Sequence, residues 1–212
     1  MNKNFRLATI LIISSICTGG CGLVNFSGYA LFGGHKHKVE AEYRGLEGQT
    51  IAVVVAGQPG LEFDYPFARA NLHMRLVQTF GKHIVDSKFV NYKEIIKLQE
   101  DASQWNSMSL LKMGRALAAE RIVYVDLIHY TLLTENSVNL LQGHIVADVR
   151  VYEVTGPRPE KAAYQTEMEI VYPEGVPQLR TGPAERVIEL RTMAHFAVSL
   201  TEKFYDHRKE TE

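Results

Sequence analysis

Cys17 and Cys21 are the only thiols in the chain, so whatever thiol chemistry it supports takes place within the first 21 residues. The body beyond them has no cysteine, which excludes an internal disulfide or a thiolate metal site there. The other chemically able side chains lie on stretches that read as strands. Asp126, His129 and His144 fall on neighbouring apolar-patterned stretches, where two of them across adjacent strands could form an acid-base pair; cross-strand hydrogen bonding is the commoner use of such residues. Glu167 and Glu169 share one strand face, which suits a cation, but the same face lets them pair with Arg150 across the sheet, and charge pairing is the more usual outcome. His35-Lys36-His37-Lys38 offers two imidazoles at i, i+2, too unspecific a spacing for a metal site, and reads as a solvated basic stretch near lipid headgroups. Phe63, Tyr65 and Trp105 lie in or near loops, where amphipathic aromatics commonly mark partner surfaces. The chain lacks His-Glu-x-x-His, Gly-x-Ser-x-Gly, the phosphate-binding Gly-x-x-x-x-Gly-Lys-Ser/Thr and Gly-x-Gly-x-x-Gly, so no catalytic residue, metal ligand or cofactor is assigned.

The cysteines draw their meaning from what precedes them. Lys3 and Arg6 form a short positive region, and Leu7 to Ile16 is an apolar run, the outline of a secretory leader. That run is too short to span the membrane, since roughly 20 helical residues are needed for about 30 Å of hydrocarbon. Thr18-Gly19-Gly20-Cys21 resembles a lipobox, in which small residues before the cysteine admit the lipoprotein signal peptidase and the sulfur receives diacylglycerol. Cys17 does not fit, because bulky Ile16 stands before it; the alternative is an ordinary secretory leader with an incidental cysteine at position 21. Acyl chains at Cys21 would hold a domain to a bilayer without any spanning helix. Gly22 follows the cysteine where an Asp would signal inner-membrane retention, so the expectation is a bacterial cell-envelope protein facing the periplasm, with the outer membrane favoured.

The elements that must position the remaining residues begin after a tether. From Gly22 to about Gly48 no period emerges and glycines recur, so residues 1–20 are read as signal peptide, 21–48 as lipidated N-terminus and tether, and 49–206 as one α/β domain with a polar tail at 207–212. Thr50 to Ala56 is a continuous β-branched run, suited to a strand buried on both faces. Phe67, Ala70, Met74, Val77 and Ile84 recur at helical steps, with Arg69, Arg75, Gln78 and Lys82 between them. Val85 to Val90 fits a short strand, and Asn91 with Glu94 suits a capping box for a helix carrying Ile95, Ile96 and Leu98. Ser107 or Ser109 can cap the next helix, where Leu110, Leu111, Met113, Ala116 and Leu117 form the stripe.

Three strands follow, 121–133, 144–154 and 162–172, as an antiparallel meander with one greasy and one wet face. A last helix runs from about Ala184 to Tyr205, with Val187, Leu190, Ala194, Ala197 and Phe204 along one side. The order β-α-β-α-α-β-β-β-α predicts a single mixed sheet of about five strands packed by about four helices, with the first strand beside 121–133.

Composition narrows the function. Apolar residues make up 46% and charged residues 22%, enough greasy surface for one packed core. A formal net charge of -1 supplies no field for phosphate backbones, so nucleic acid is not an expected partner.

Thr50 to Ala56 together with Met113-Gly114-Arg115-Ala116-Leu117-Ala118-Ala119-Glu120-Arg121-Ile122-Val123-Tyr124-Val125 resembles the "helix, Gly-Lys, Leu-Gly-Ala-Asp, strand" passage of certain envelope domains. Those are the lipoprotein activators of penicillin-binding proteins, the periplasmic part of the curli secretion lipoprotein, and the N-terminal domain of the Tol-system β-propeller protein. The chain also resembles a group of uncharacterised planctomycete lipoproteins, a likeness that extends to Phe204-Tyr205-Asp206-His207. Ala118 and Glu120 stand where Gly and Asp are usual. The resemblance implies a non-enzymatic adaptor, without the long hairpins a curli-type pore needs. The expected partners are the membrane, through the N-terminal lipid, and an envelope protein gripped by Phe63, Tyr65, Trp105, Arg150, Glu167 and Glu169; the alternatives are a small envelope enzyme or a solute-binding lipoprotein.

Overall fold

The structure is a computed structural model that describes residues 36–58, 60–100, 105 and 108–210. The leader, Cys21 and His35 lie outside the described residues. Two compact units result: one comprises residues 40–207, and the other contains the described residues 36–39 and 208–210. Strand β1 (Lys36–Val39) pairs with β8 (His207–Glu210). Neither strand stands out in the sequence, because four residues are too few to establish a period.

The larger unit is built on a mixed six-stranded sheet of β2 (Thr50–Gly57), β3 (Lys88–Phe89), β4 (Arg121–Thr134), β5 (Ser137–Glu153), β6 (Tyr164–Tyr172) and β7 (Gln178–Leu179). The order is β3-β2-β4-β5-β6, with β7 also beside β5. β2 runs parallel to both neighbours, and β4, β5 and β6 form the expected antiparallel meander. Among the described residues there are five helices: α1 (Leu61–Asp64), α2 (Ala68–His83), α3 (Tyr92–Glu100), α4 (Leu110–Ala116) and α5 (Gly182–Glu202). None is long and apolar enough to cross a membrane.

Helices α2 and α5 cover one sheet face and enclose the main core, where Val53, Val55, Val125, Ile145 and Val149 meet Leu72, Leu76, Phe80, Phe196 and Leu200. Helices α3 and α4 cover the opposite face only above β2 and the start of β4, where Ala52, Val54 and Ile122 meet Ile95, Met113 and Leu117. The continuous apolar run of β2 follows from this double coverage. Ser109 caps α4 by accepting from Lys112 N at 3.3 Å, and Asn91 Oδ1 accepts from Lys93 N at 3.0 Å before α3.

Three sequence readings are corrected. Ile84 is buried and Val77 packs on the core, as expected, but helix α2 otherwise buries Ala68, Leu72, Leu76 and Phe80 and turns Phe67 and Met74 to solvent. Both stripes have helical spacing, and the contact with α5 and the sheet selects one of them. Helix α5 buries Ala197, and Phe204 just beyond it is buried too, as expected, but the rest of its buried face is Ile188, Thr192, Met193, Phe196 and Leu200, while Val187 is exposed. The Thr192 and Thr201 hydroxyls bond back to Ile188 O at 2.7 Å and Ala197 O at 2.6 Å, which makes them tolerable inside. Strand β5 begins at Ser137 rather than His144, because β4 and β5 shift register after Leu127, Thr131 and Leu133 and so lose a clean alternation.

The segment before β2 also belongs to the body. Leu46 is fully buried, the Tyr43 ring stands edge-on to Phe204, and Arg121 Nε donates to Gly45 O at 2.8 Å. The packed chain therefore starts N-terminal to residue 49.

Candidate functional site

The part of the sheet left open by α3 and α4 carries the polar residues singled out in the sequence. Register places them in rows across three strands: Tyr124, Arg150 and Gln165; then Asp126, Asp148 and Glu167; then His129, Val146 and Glu169; then Thr131, His144 and Val171. Three carboxylates thus lie abreast beside one guanidinium. Arg150 Nε lies 2.9 Å from Asp148 Oδ2, its Nη2 lies 3.6 Å from Asp126 Oδ2, and its Cζ sits 5.3 Å from the Tyr124 ring centroid. Burial raises the Tyr124 phenol pKa, and the Asp126 charge adds to the shift. Gln165 Nε2 donates to Asp148 Oδ1 at 3.0 Å.

Further along, His144 Nε2 lies 2.8 Å from Glu169 Oε1, and the His129 and His144 rings meet at 4.9 Å. Thr131 is opposite His144, but its hydroxyl is bound to the backbone, donating to Leu133 O at 3.3 Å and accepting from Leu133 N at 3.1 Å. Among the described residues no three of His, Cys, Asp or Glu are grouped to hold a metal ion. Asp126, Asp148 and Glu169 are thus paired, while Glu167 makes no ion pair among the described residues. Arg150 pairs with two aspartates rather than with Glu167 and Glu169, and Glu169 pairs with His144.

A second feature lies at the end of the sheet where β2 finishes. Gly57 is level with Leu127, and α1 follows at once; β4 and β5 run on beyond that level to their hairpin, and β6 and β7 border it. Among the described residues, the five most exposed large apolar side chains all fall on this end: Phe63 at 93%, Val176 at 86%, Leu179 at 74%, Phe67 at 70% and Val138 at 69%. The segment that leads into Thr50 packs at the other end, where Glu42 N and Tyr43 N donate to Lys203 O and Gly45 O accepts from Arg121 Nε. A groove of about 270 Å³ between α2 and α5 is flanked by Arg75 and Arg186, but these donate to Gln78 and Glu189.

No family model matches the chain, and no curated protein sequence matches it. Solved structures do. The chain is similar to the PelC dodecamer subunit from Paraburkholderia phytofirmans (10% identity, TM-score 0.45, covering 79% of this chain and 97% of that one). It is also similar to lipoprotein GNA1162 from Neisseria meningitidis (10% identity, TM-score 0.43, 70% and 97%) and to the LpoB C-terminal domain from Salmonella enterica (10% identity, TM-score 0.38, 61% and 87%).

The residues proposed for a partner are not gathered in one place. Phe63 projects from the apolar end. Tyr65 turns inward, its ring edge-on to Tyr130 at 4.9 Å and its hydroxyl accepting from Leu132 N at 3.2 Å. Trp105 is half-buried against the cluster beneath α3 and α4. Arg150, Glu167 and Glu169 share the open sheet face. Sequence reasoning passed over Val138, Val176 and Leu179. Their signal was an apolar residue set among turn formers, as in Gly175-Val176-Pro177, where no period calls for burial.

Proposed function

We propose that the protein is a lipid-anchored adaptor of the bacterial envelope, held through Cys21 and facing the periplasm, that grips a partner protein with the apolar end of its sheet. The observation that carries this is the convergence of Phe63, Phe67, Val138, Val176 and Leu179 on one end. Scattered exposed apolar residues are ordinary, but their concentration marks an interaction site. Fully extended, the stretch from Cys21 to Glu40 reaches at most roughly 65 Å. Gly22 after the cysteine favours the outer membrane. The open face, with its carboxylates paired to Arg150 and His144, suits recognition better than turnover.

Two substitutions test the two halves of the reading. Cys21→Ser should leave a soluble or uncleaved precursor without acyl label; a variant that still incorporates labelled fatty acid and fractionates with membranes would refute the anchor. Phe63→Ser with Leu179→Ser should weaken partner capture from solubilised membranes by tenfold or more, since buried anchors in interfaces are worth about 2 kcal/mol or more. Their thermal transition should be unchanged, because both side chains are already in solvent. Capture unaltered in that folded variant would remove the apolar end as the grip.

A further inference from the structure

The two edges of the sheet are finished differently. On the β3 side, the carbonyls of β2 that point outward are Ile51, Val53 and Val55, and each is occupied. Val90 N donates to Ile51 O at 2.9 Å, His73 Nδ1 lies 2.8 Å from Val53 O, and Gln99 Nε2 donates to Val55 O at 3.1 Å. A two-residue strand and two side chains thus take up the outward carbonyls of that edge. The β6 side ends in nine residues, Tyr164–Tyr172, paired with β5 in one continuous register. Its sequence, Tyr-Gln-Thr-Glu-Met-Glu-Ile-Val-Tyr, has no Pro and no Lys to blunt the edge, and its charges, Glu167 and Glu169, are of one sign. A strand of this kind presents a row of outward N–H and C=O groups ready to pair with another chain.

The side chains say which chain. On the open face β6 carries Glu167 and Glu169 at alternate positions, both exposed, beside the Asp126 and Asp148 row. On the helix-covered face it carries Thr166, Met168 and Ile170, with Met168 buried in the core. A strand added here would put alternate side chains beside the glutamates and the others along the apolar face. Opposite charges facing each other across strands stabilise a pair and like charges oppose it. A second copy of β6, laid antiparallel about Met168, would set Glu167 against Glu169 and Glu169 against Glu167, so the chain is a poor partner for itself.

We propose that the β6 edge is a docking strand for an extended basic segment of a partner protein, one that alternates Lys or Arg with β-branched or apolar residues. This names the class of partner within the adaptor reading and rests on it, but it uses a surface distinct from Phe63 and its neighbours. Tyr172, at the end of β6, leads through the loop carrying Val176 into β7 and Leu179, so a partner paired along β6 continues onto the apolar end.

The test uses the full-length protein in non-ionic detergent and a labelled peptide, Lys-Val-Lys-Val-Lys-Thr-Lys, at low salt. The expected result is saturable binding that slows amide exchange within Tyr164–Tyr172. It should weaken at least tenfold for Glu167→Lys with Glu169→Lys. It should weaken likewise for the same peptide N-methylated at alternate residues, which keeps its charge but removes its donors. Equal binding of the N-methylated peptide to the wild-type protein would overturn strand pairing, leaving only charge attraction. Exchange protection of Tyr164–Tyr172 that grows with protein concentration without peptide would overturn the choice of partner in favour of a second copy. The Phe63→Ser, Leu179→Ser variant should bind the peptide unchanged, which separates failure of this proposal from failure of the apolar grip.

Discussion

His73 is buried in α2 with its ring 4.5 Å from that of Tyr92. Because a carbonyl only accepts, the 2.8 Å contact with Val53 O means that Nδ1 carries the proton and donates. Burial holds the imidazole below the ordinary histidine range, and the carbonyl only partly offsets this. The folded value is thus lower than the unfolded one of about 6.5. Below that pH the unfolded chain binds more protons, so stability is complete above about 6.5 and is lost as pH falls towards the folded value. Denaturant midpoints between pH 8 and pH 5 should decline in the wild type and decline less in His73→Phe. At pH 8 the same substitution should cost about 1 to 3 kcal/mol, because it leaves Val53 O without its donor. An equal decline in both proteins would show that another group sets the acid limb; Glu42, held below the usual carboxylate range by hydrogen bonds from Lys203 and Tyr164, acts at lower pH.

At the scale of elements, the join between α4 and β4 explains a residue that looked out of place. Ala118 follows the helix with φ of 50°, in the left-handed region. This is the position where the resembling envelope domains have glycine, and glycine adopts that conformation without strain. Glu120, which replaces the usual Asp, accepts from Thr50 N at 2.8 Å and ties the start of β4 to that of β2. Ala118→Gly should therefore raise stability by up to about 1 kcal/mol, or about 2–4 °C in melting temperature. No increase would mean that the lost entropy of the unfolded glycine cancels the relief. Gly143 has the opposite requirement. A Cβ there would collide with the Thr192 side chain, so Gly143→Ala should push α5 off β5 and cost about 1–3 kcal/mol, read by urea unfolding.

For the whole molecule, the boundary of the folded body is the testable quantity. Leu46 and Tyr43 join the main core, and the backbone amides of Glu42 and Tyr43 both donate to Lys203 O just beyond α5. A fragment of residues 40–210 should unfold in one cooperative transition. One of residues 49–212 should be less stable by about 2–5 kcal/mol, the cost of removing a large aliphatic side chain from a core. Equal stability of the two would show that the 40–48 segment adds nothing to the body.

The sequence alone determined the parts whose signal is local. The run at Thr50–Ala56 reads as a doubly covered strand because every residue after Thr50 is apolar, and the alternation in 144–172 shows which residues face solvent because side-chain period is two. Asn91 and Ser109 announce helix starts because their side chains replace missing backbone partners. The tertiary structure decided what depends on distant neighbours. It chose Leu72 and Leu76 over Met74 because α5 lies on that side. It turned Tyr65 inward and left Phe63 out because only Tyr65 has Tyr130 and the Leu132 amide within reach. It assigned Arg150 to Asp126 and Asp148 because strand register, which no single segment encodes, set those residues beside it. Both candidate surfaces arise in the same way. Phe63, Val138, Val176 and Leu179 are far apart in sequence, and the strand order brings them to the same end of the sheet. Likewise β6 becomes an open edge only by lying last in the strand order.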